Sequence, residues 1–210
     1  MIPVESLITF LLASVLLGLA PGPDNIFVLT QSALYGRREG VLVTIGLCTG
    51  LIVHTSAVAF GVAAIFQTSA VAFTALKIVG SLYLLYLAWL AFSASTSKLE
   101  SSKANKLSGP QLYLRGIIMN VTNPKVSIFF LAFLPQFAVP ENGPVMQQIF
   151  MLGLLFIFVT LVVFGGIAFL AGTIGTWLNQ SPKAQVYLNR IAGTVFVGLS
   201  LKLVTSNASA

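Results

Sequence analysis

The chain has 210 residues, 57% hydrophobic and only 8% charged, with a mean hydropathy of +0.95. A soluble domain carries roughly 25% charged residues, so this composition excludes a water-soluble globule and points to an integral membrane protein. The net charge of +6 sits mostly near the ends of apolar stretches; it reads as an orientation signal and calls for no nucleic-acid partner.

An apolar stretch of about 20 residues crosses a hydrocarbon core of about 30 Å as a helix, which satisfies its own backbone hydrogen bonds. Six such stretches occur: Glu5 to Leu34, Val41 to Phe66, Ala70 to Phe92, Leu112 to Leu134, Val145 to Ala171 and Val186 to Val204. The first follows almost no basic segment and lacks an evident cleavage site, so it is expected to be a retained helix rather than a signal peptide.

That first span is interrupted by "GLAPGPDNIF", Gly18 to Phe27. Pro21 and Pro23 each lack an N–H and clash with the preceding turn, so a helix break is expected around Pro21, Gly22 and Pro23. Arg37 and Arg38 follow the span. The second span carries Gly46, Gly50 and His54 on one face, a spacing suited to close helix packing, with His54 expected in a buried interhelical hydrogen bond. Cys48, the single cysteine, excludes an intramolecular disulfide and reads as a packing residue.

After the third span comes "SASTSKLESSKANKLSGPQ", Ser93 to Gln111, a Ser- and Lys-rich linker with Lys98, Lys103 and Lys106. Together with Arg37, Arg38, Arg115, Lys183 and Arg190, these cations place the first, third and fifth connections in the cytoplasm and both termini outside. The linker, 96–110, separates two units of three spans, 1–95 and 111–210. An odd number of spans per unit inverts the second relative to the first.

The fourth span then matches the first. "PGPDNIFVL" (Pro21 to Leu29) and "TNPKVSIFFL" (Thr122 to Leu131) each hold a mid-span proline, Pro23 or Pro124, a charged residue after it, and an Ile-Phe pair beyond. Interrupted segments at corresponding positions of inverted halves point to a transporter's central site. The fold expected is therefore all-α and membrane-integral, with six transmembrane helices in two inverted three-helix repeats and broken first and fourth helices. Gly165 and Gly166 in the fifth span read as packing or hinge glycines; the glycine-rich faces of spans two and five serve internal packing or a homodimer equally well.

Asp24 is the only Asp, and Glu5, Glu39, Glu100 and Glu141 all fall at span ends or in connections. Asp24 is thus the one carboxylate at depth, and Lys125 is its counterpart of opposite sign. Either charge at the bilayer centre costs about 2.5 to 3.5 kcal/mol unless a partner or polar cavity receives it. Asp24 as a helix N-terminal acid, or the two as a structural ion pair, would account for them without transport. A cavity holding both signs suits a zwitterion instead: Asp24 takes an ammonium, while Lys125 and helix-end N–H groups take a carboxylate. Asn25, Asn120, Asn123 and Ser127 cluster around the breaks, and Gln31 lies two turns along the face of Asp24.

Other chemistries fit less well. A thiol carrier needs cysteines at both breaks, a divalent-metal exporter needs more ligands than Asp24, His54 and Cys48, and no serine-centred motif supports a hydrolase. No metal site or cofactor is expected. A noncatalytic membrane scaffold, or export of another small zwitterion or cation, stays open on these residues.

"PGPDNIFVLTQSALYGRREGV" (Pro21 to Val41) together with "NPKVSIFFLAFLPQF" (Asn123 to Phe137) resembles the LysE/RhtB family of bacterial amino-acid exporters, over essentially the whole chain. The resemblance implies secondary export of amino acids or close derivatives across the bacterial cytoplasmic membrane, driven by the proton gradient and not by an enzymatic step. It carries over to Pro21, Gly22, Pro23, Asp24, Asn25, Asn123, Pro124 and Lys125. For coupling through a carboxylate at depth, Asp24 is the available residue, where a proton and a substrate ammonium would compete. Which amino acid is carried does not follow from these motifs.

Overall fold

The computed structural model describes residues 2–68, 70–94 and 107–205. Most of the linker expected at 96–110, with Lys98, Lys103 and Lys106, lies outside the described residues. Among those described, all regular secondary structure is helical.

The chain opens with α1 (Val4–Leu19) and α2 (Pro23–Tyr35), which meet at a bend of 59°. The cause is local. A helical carbonyl bonds the N–H four residues on, so Pro21 and Pro23 strip the carbonyls of Leu17 and Leu19 of their partners. Gly22 is the extended N-cap of α2 and Pro23 its first residue, the helical position where a missing N–H does no harm. Gly36, at φ +105°, then turns the chain, a conformation that suits glycine alone.

Helix α3 (Arg37–Thr68) and α4 (Ala70–Ser93) follow. The second break repeats the first. Helix α5 (Gly109–Val121) ends before Asn123, and α6 (Pro124–Ile128) starts with Pro124 as its first residue. The chain continues through a π-helical turn, Phe129–Phe133, and a 3-10 turn, Leu134–Phe137, so that 124–137 as a whole is bent 49° from α5. Helices α7 (Val145–Gln180) and α8 (Pro182–Thr205) complete the chain.

Among the described residues, three helical stretches, Arg37–Gly61, Val145–Ile174 and Lys183–Thr205, are long and apolar enough to cross a membrane, and counting each bent pair as one span gives up to five. The third stretch read from the sequence falls on α4, where the apolar helix found is the shorter Lys77–Ser93.

Helix α7 packs on α1, α2 and α3, α3 packs on α5, and α4 packs on α8. Rings of Phe10, Phe129, Phe130, Phe133, Phe137 and Phe156 form the core between the first helix and the second break, with neighbouring centroids 4.9 to 6.5 Å apart. Large side chains such as Phe60, Trp89, Leu154, Phe158 and Phe169 point outward, the inside-out pattern a bilayer solvent permits.

Helices α3 and α5 cross with their backbones in contact. A methyl on Gly46 would overlap the Tyr113 carbonyl, and one on Gly116 would overlap the Val43 carbonyl. Gly50 leaves the space that the Asn120 side chain fills, and His54 Nε2 lies 3.1 Å from the Asn120 carbonyl oxygen. By contrast, a Cβ on Gly165 or Gly166 meets nothing within 4 Å among the described residues, so internal packing is not their role and the hinge and homodimer readings are those left.

Candidate functional site

The two breaks come together, and their side chains are wired to each other. Asn123 is the N-cap of α6: its Oδ1 accepts from the Lys125 N–H at 3.0 Å. The same amide's Nδ2 donates to Asp24 Oδ2 at 2.9 Å, tying the second break to the first turn of α2. Asp24 Oδ1, also buried, has no hydrogen-bond partner among the described residues.

Lys125 crosses in the other direction. Its Nζ donates to the carbonyls of Leu17, at 3.3 Å, and Ala20, at 3.0 Å, both at the C-terminal end of α1. The Leu17 carbonyl is one that Pro21 stripped. A cation at the start of α6 stands at the unfavourable end of that helix's dipole, but its ammonium lies at the favourable, C-terminal end of α1. Asn25 treats the next carbonyl likewise, with Nδ2 donating to Gly18 O at 2.6 Å. An ammonium has three donors, so two N–H groups of Lys125 are engaged and a third remains.

Asp24, Lys125 and Asn120 share a cavity whose other walls are Leu17 and Gly18 of α1, Leu47 of α3, Val126 of α6, and Phe156, Thr160 and Phe164 of α7. Its volume is about 20 Å³. That is room for roughly one water, so an amino acid enters only if the walls part. Asn120 Oδ1 is buried and unpartnered, as is the Oε1 of Gln31.

The residues read from the sequence thus divide. Asp24, Asn120 and Lys125 line one cavity, and Asn123 bridges two of them from behind. Asn25 is turned to the end of α1, and Gln31, though buried, lies outside this cavity's walls. Ser127 bonds its hydroxyl back to the Asn123 carbonyl. The contribution of α7 went unread, because a long helix apolar on every face offers no phase by which to single out Thr160.

A bent, multi-spanning helical membrane protein with a small cavity lined by one acid and one base is the class these features define. Residues 15–207 match the profile of the LysE type translocator family, and the chain belongs to that family, whose members are transporters rather than enzymes. It is 37% identical to the homoserine/homoserine lactone efflux protein of Salmonella typhimurium over 188 residues, 90% of each chain. A membrane protein of Vibrio cholerae is 30% identical over 201 residues, 96% of this chain and 97% of the relative. The leucine efflux protein of Salmonella choleraesuis is 29% identical over 206 residues, 94% of this chain and 93% of the relative. No solved structure matches significantly.

Proposed function

We propose that the protein is a secondary exporter of amino acids or close derivatives, working by proton antiport through the cavity between the two breaks. One observation carries the reading: the Asp24 carboxylate, half of it unpartnered, and the Lys125 ammonium, with one N–H to spare, line the same small cavity. Asp24 Oδ1 takes either a proton or the substrate's ammonium. The third N–H of Lys125 takes the substrate's carboxylate. A carboxylate competing with the Leu17 and Ala20 carbonyls for Lys125 loosens α1 from α6, so that binding and re-angling of the broken helices are one event.

Packing supports two inverted three-helix halves. Exchange α1–α2, α3 and α4 with 109–137, α7 and α8, and the contact of α3 with α5 becomes that of α7 with α1, while α3 with α7 and α4 with α8 map onto themselves. The basic connections support a topology in the bacterial cytoplasmic membrane with both termini outside. The open face of α7 at Gly165 and Gly166 offers a surface for a second copy. Relatives whose names state homoserine or leucine efflux support an amino-acid cargo.

The test is efflux of labelled amino acids from loaded proteoliposomes with and without an imposed pH gradient. Wild type should show saturable efflux accelerated by external acid. Removing a charged hydrogen-bond partner costs about 1.5 to 3 kcal/mol, so Asp24→Asn and Lys125→Gln should lower efflux by roughly 10- to 100-fold, and Asp24→Asn should also lose the response to the gradient. Variants that insert and transport like wild type would remove the paired-charge site. A wild type that moves no amino acid would favour another small zwitterion or cation as cargo, or a scaffold.

A further inference from the structure

The chain's single histidine, His54, takes no part in the charge pairing between the breaks, yet it is bound to the second of them. Pro124 follows Asn120 by four residues, so the Asn120 carbonyl loses its usual helical partner, as the Leu17 carbonyl does before Pro21. It accepts instead from the Asn123 N–H, one residue early, at 3.1 Å, and from His54 Nε2, also at 3.1 Å. A carbonyl oxygen only accepts, so Nε2 carries the proton of this bond. His54 belongs to α3 and is buried.

The two breaks are thus held crosswise. Lys125, after the linker, takes the Leu17 and Ala20 carbonyls of the first break; His54, before the linker, takes the Asn120 carbonyl of the second. His54 also reaches past its break, with its ring 5.6 Å from that of Phe130 in the π-helical turn that follows α6. One turn earlier on α3, Gly50 stands against the Asn120 side chain, where a Cβ would fall 2.7 Å from Oδ1. Helix α3 is itself fixed to α5 by the backbone contact of Gly46 with Gly116. Gly46, Gly50 and His54 therefore form one track that runs from the helix crossing to the break. It ends on Asn120, whose Oδ1 is buried, has no partner among the described residues, and belongs to a residue of the cavity wall.

We propose that His54 is a positioning residue for transport: by holding the Asn120 carbonyl before the second break and the Phe130 ring beyond it, it sets the angle of that break and keeps Asn120 Oδ1 in the cavity wall. This step rests on the exporter reading above. A substrate ammonium has three N–H groups, so Asn120 Oδ1 shares it with Asp24 Oδ1. His54 itself lies outside the cavity's walls, and it acts on substrate binding through Asn120 rather than by touching the substrate.

The experiment measures KM for efflux from proteoliposomes, using whichever member of a labelled amino-acid panel wild type moves fastest; KM is independent of how much protein has inserted. His54→Phe keeps a ring for Phe130 and loses the donor, whereas His54→Gln keeps a donor near the position of Nε2 and loses the ring. The phenylalanine variant should raise KM by about three- to tenfold, and the glutamine variant should stay within about twofold of wild type. Asn120→Ala, which retains the carbonyl but removes Oδ1, should raise KM at least as far, and adding His54→Phe to it should change KM by no more than about twofold. A bond that served packing alone would lack this dependence on the Asn120 side chain. His54→Leu repeats the comparison should the phenylalanine variant fail to insert. A KM unmoved by His54→Phe or by Asn120→Ala, an equal rise in His54→Gln, or a rise as large with Asn120→Ala as without it would overturn the assignment while leaving amino-acid export standing. A wild type that moves no member of the panel would overturn the exporter reading, and this step with it.

Discussion

Asn123 does two jobs with one amide: its oxygen caps α6 at the Lys125 N–H, and its nitrogen holds Asp24. The two jobs separate by substitution. Asn123→Asp keeps a cap acceptor but sets a second carboxylate against Asp24, whereas Asn123→Ala removes both contacts. Loss of an N-cap costs about 0.5 to 2 kcal/mol. The alanine variant should therefore melt several degrees below wild type in detergent, and the aspartate variant should melt closer to it yet lose at least about tenfold in efflux. Efflux at the wild-type rate by the aspartate variant would show that the bond to Asp24 does not matter. At this scale the charges were legible, because a lone Asp and a Lys inside apolar runs have few bland explanations. The partners of Lys125 were not, since a cation invites a search for an anion. The signal was nonetheless there: a proline four residues after a carbonyl leaves that carbonyl free, and Pro21 leaves Leu17. Thr160 had no such signal.

Between elements, stability rests on where backbones touch. At the crossing of α3 and α5, Gly46→Ala and Gly116→Ala each drive a methyl into a main-chain carbonyl that no rotamer change can move, and overpacking of this kind costs about 1 to 3 kcal/mol. Gly165→Ala and Gly166→Ala on α7 meet open space and gain helix propensity of about 1 kcal/mol per residue. Thermal melts in one detergent should therefore rank the first pair well below wild type and the second at or above it. A drop for Gly165→Ala in detergent, or a loss of efflux only in bilayers, would locate a helix-helix contact that the isolated chain lacks, as a second copy at that face would provide. The sequence revealed both breaks, since proline chemistry is local. It did not reveal the π-helical and 3-10 turns beyond Pro124, which accommodate the packing of the Phe129, Phe130 and Phe133 rings, a tertiary demand with no sequence period of its own. Nor did the periodicity of α7 separate its buried from its outward glycines.

For the whole molecule, inversion of the halves makes a prediction about sidedness that the fold alone does not impose. If both termini are outside, the chain enters the cytoplasm after α2, leaves it along α3, returns along α4, and exposes the 3-10 turn Pro140–Asn142 on the outer face. The single buried Cys48 allows a clean background, because Cys48→Ser removes the only thiol. On that background Glu141→Cys should react with a membrane-impermeant maleimide in intact cells, whereas Arg38→Cys and Lys183→Cys, all three at exposed positions, should react only after the membrane is opened. The logic is electrostatic: basic residues near the span ends are retained on the cytoplasmic side, and they cluster on one set of connections. The reverse labelling pattern would place the basic connections outside, contrary to that rule, and would reverse the direction in which each break faces. Labelling of Glu141→Cys and Lys183→Cys from the same side would be more damaging, since α7 would then not cross the bilayer and the halves could not be inverted copies. With α7 crossing, Asp24 starts a helix running inward and Lys125 starts one running outward. Under the proposed function, an acid and a base so arranged would present their free groups to a single substrate from opposite halves, and relative movement of those halves would change which side of the membrane reaches them.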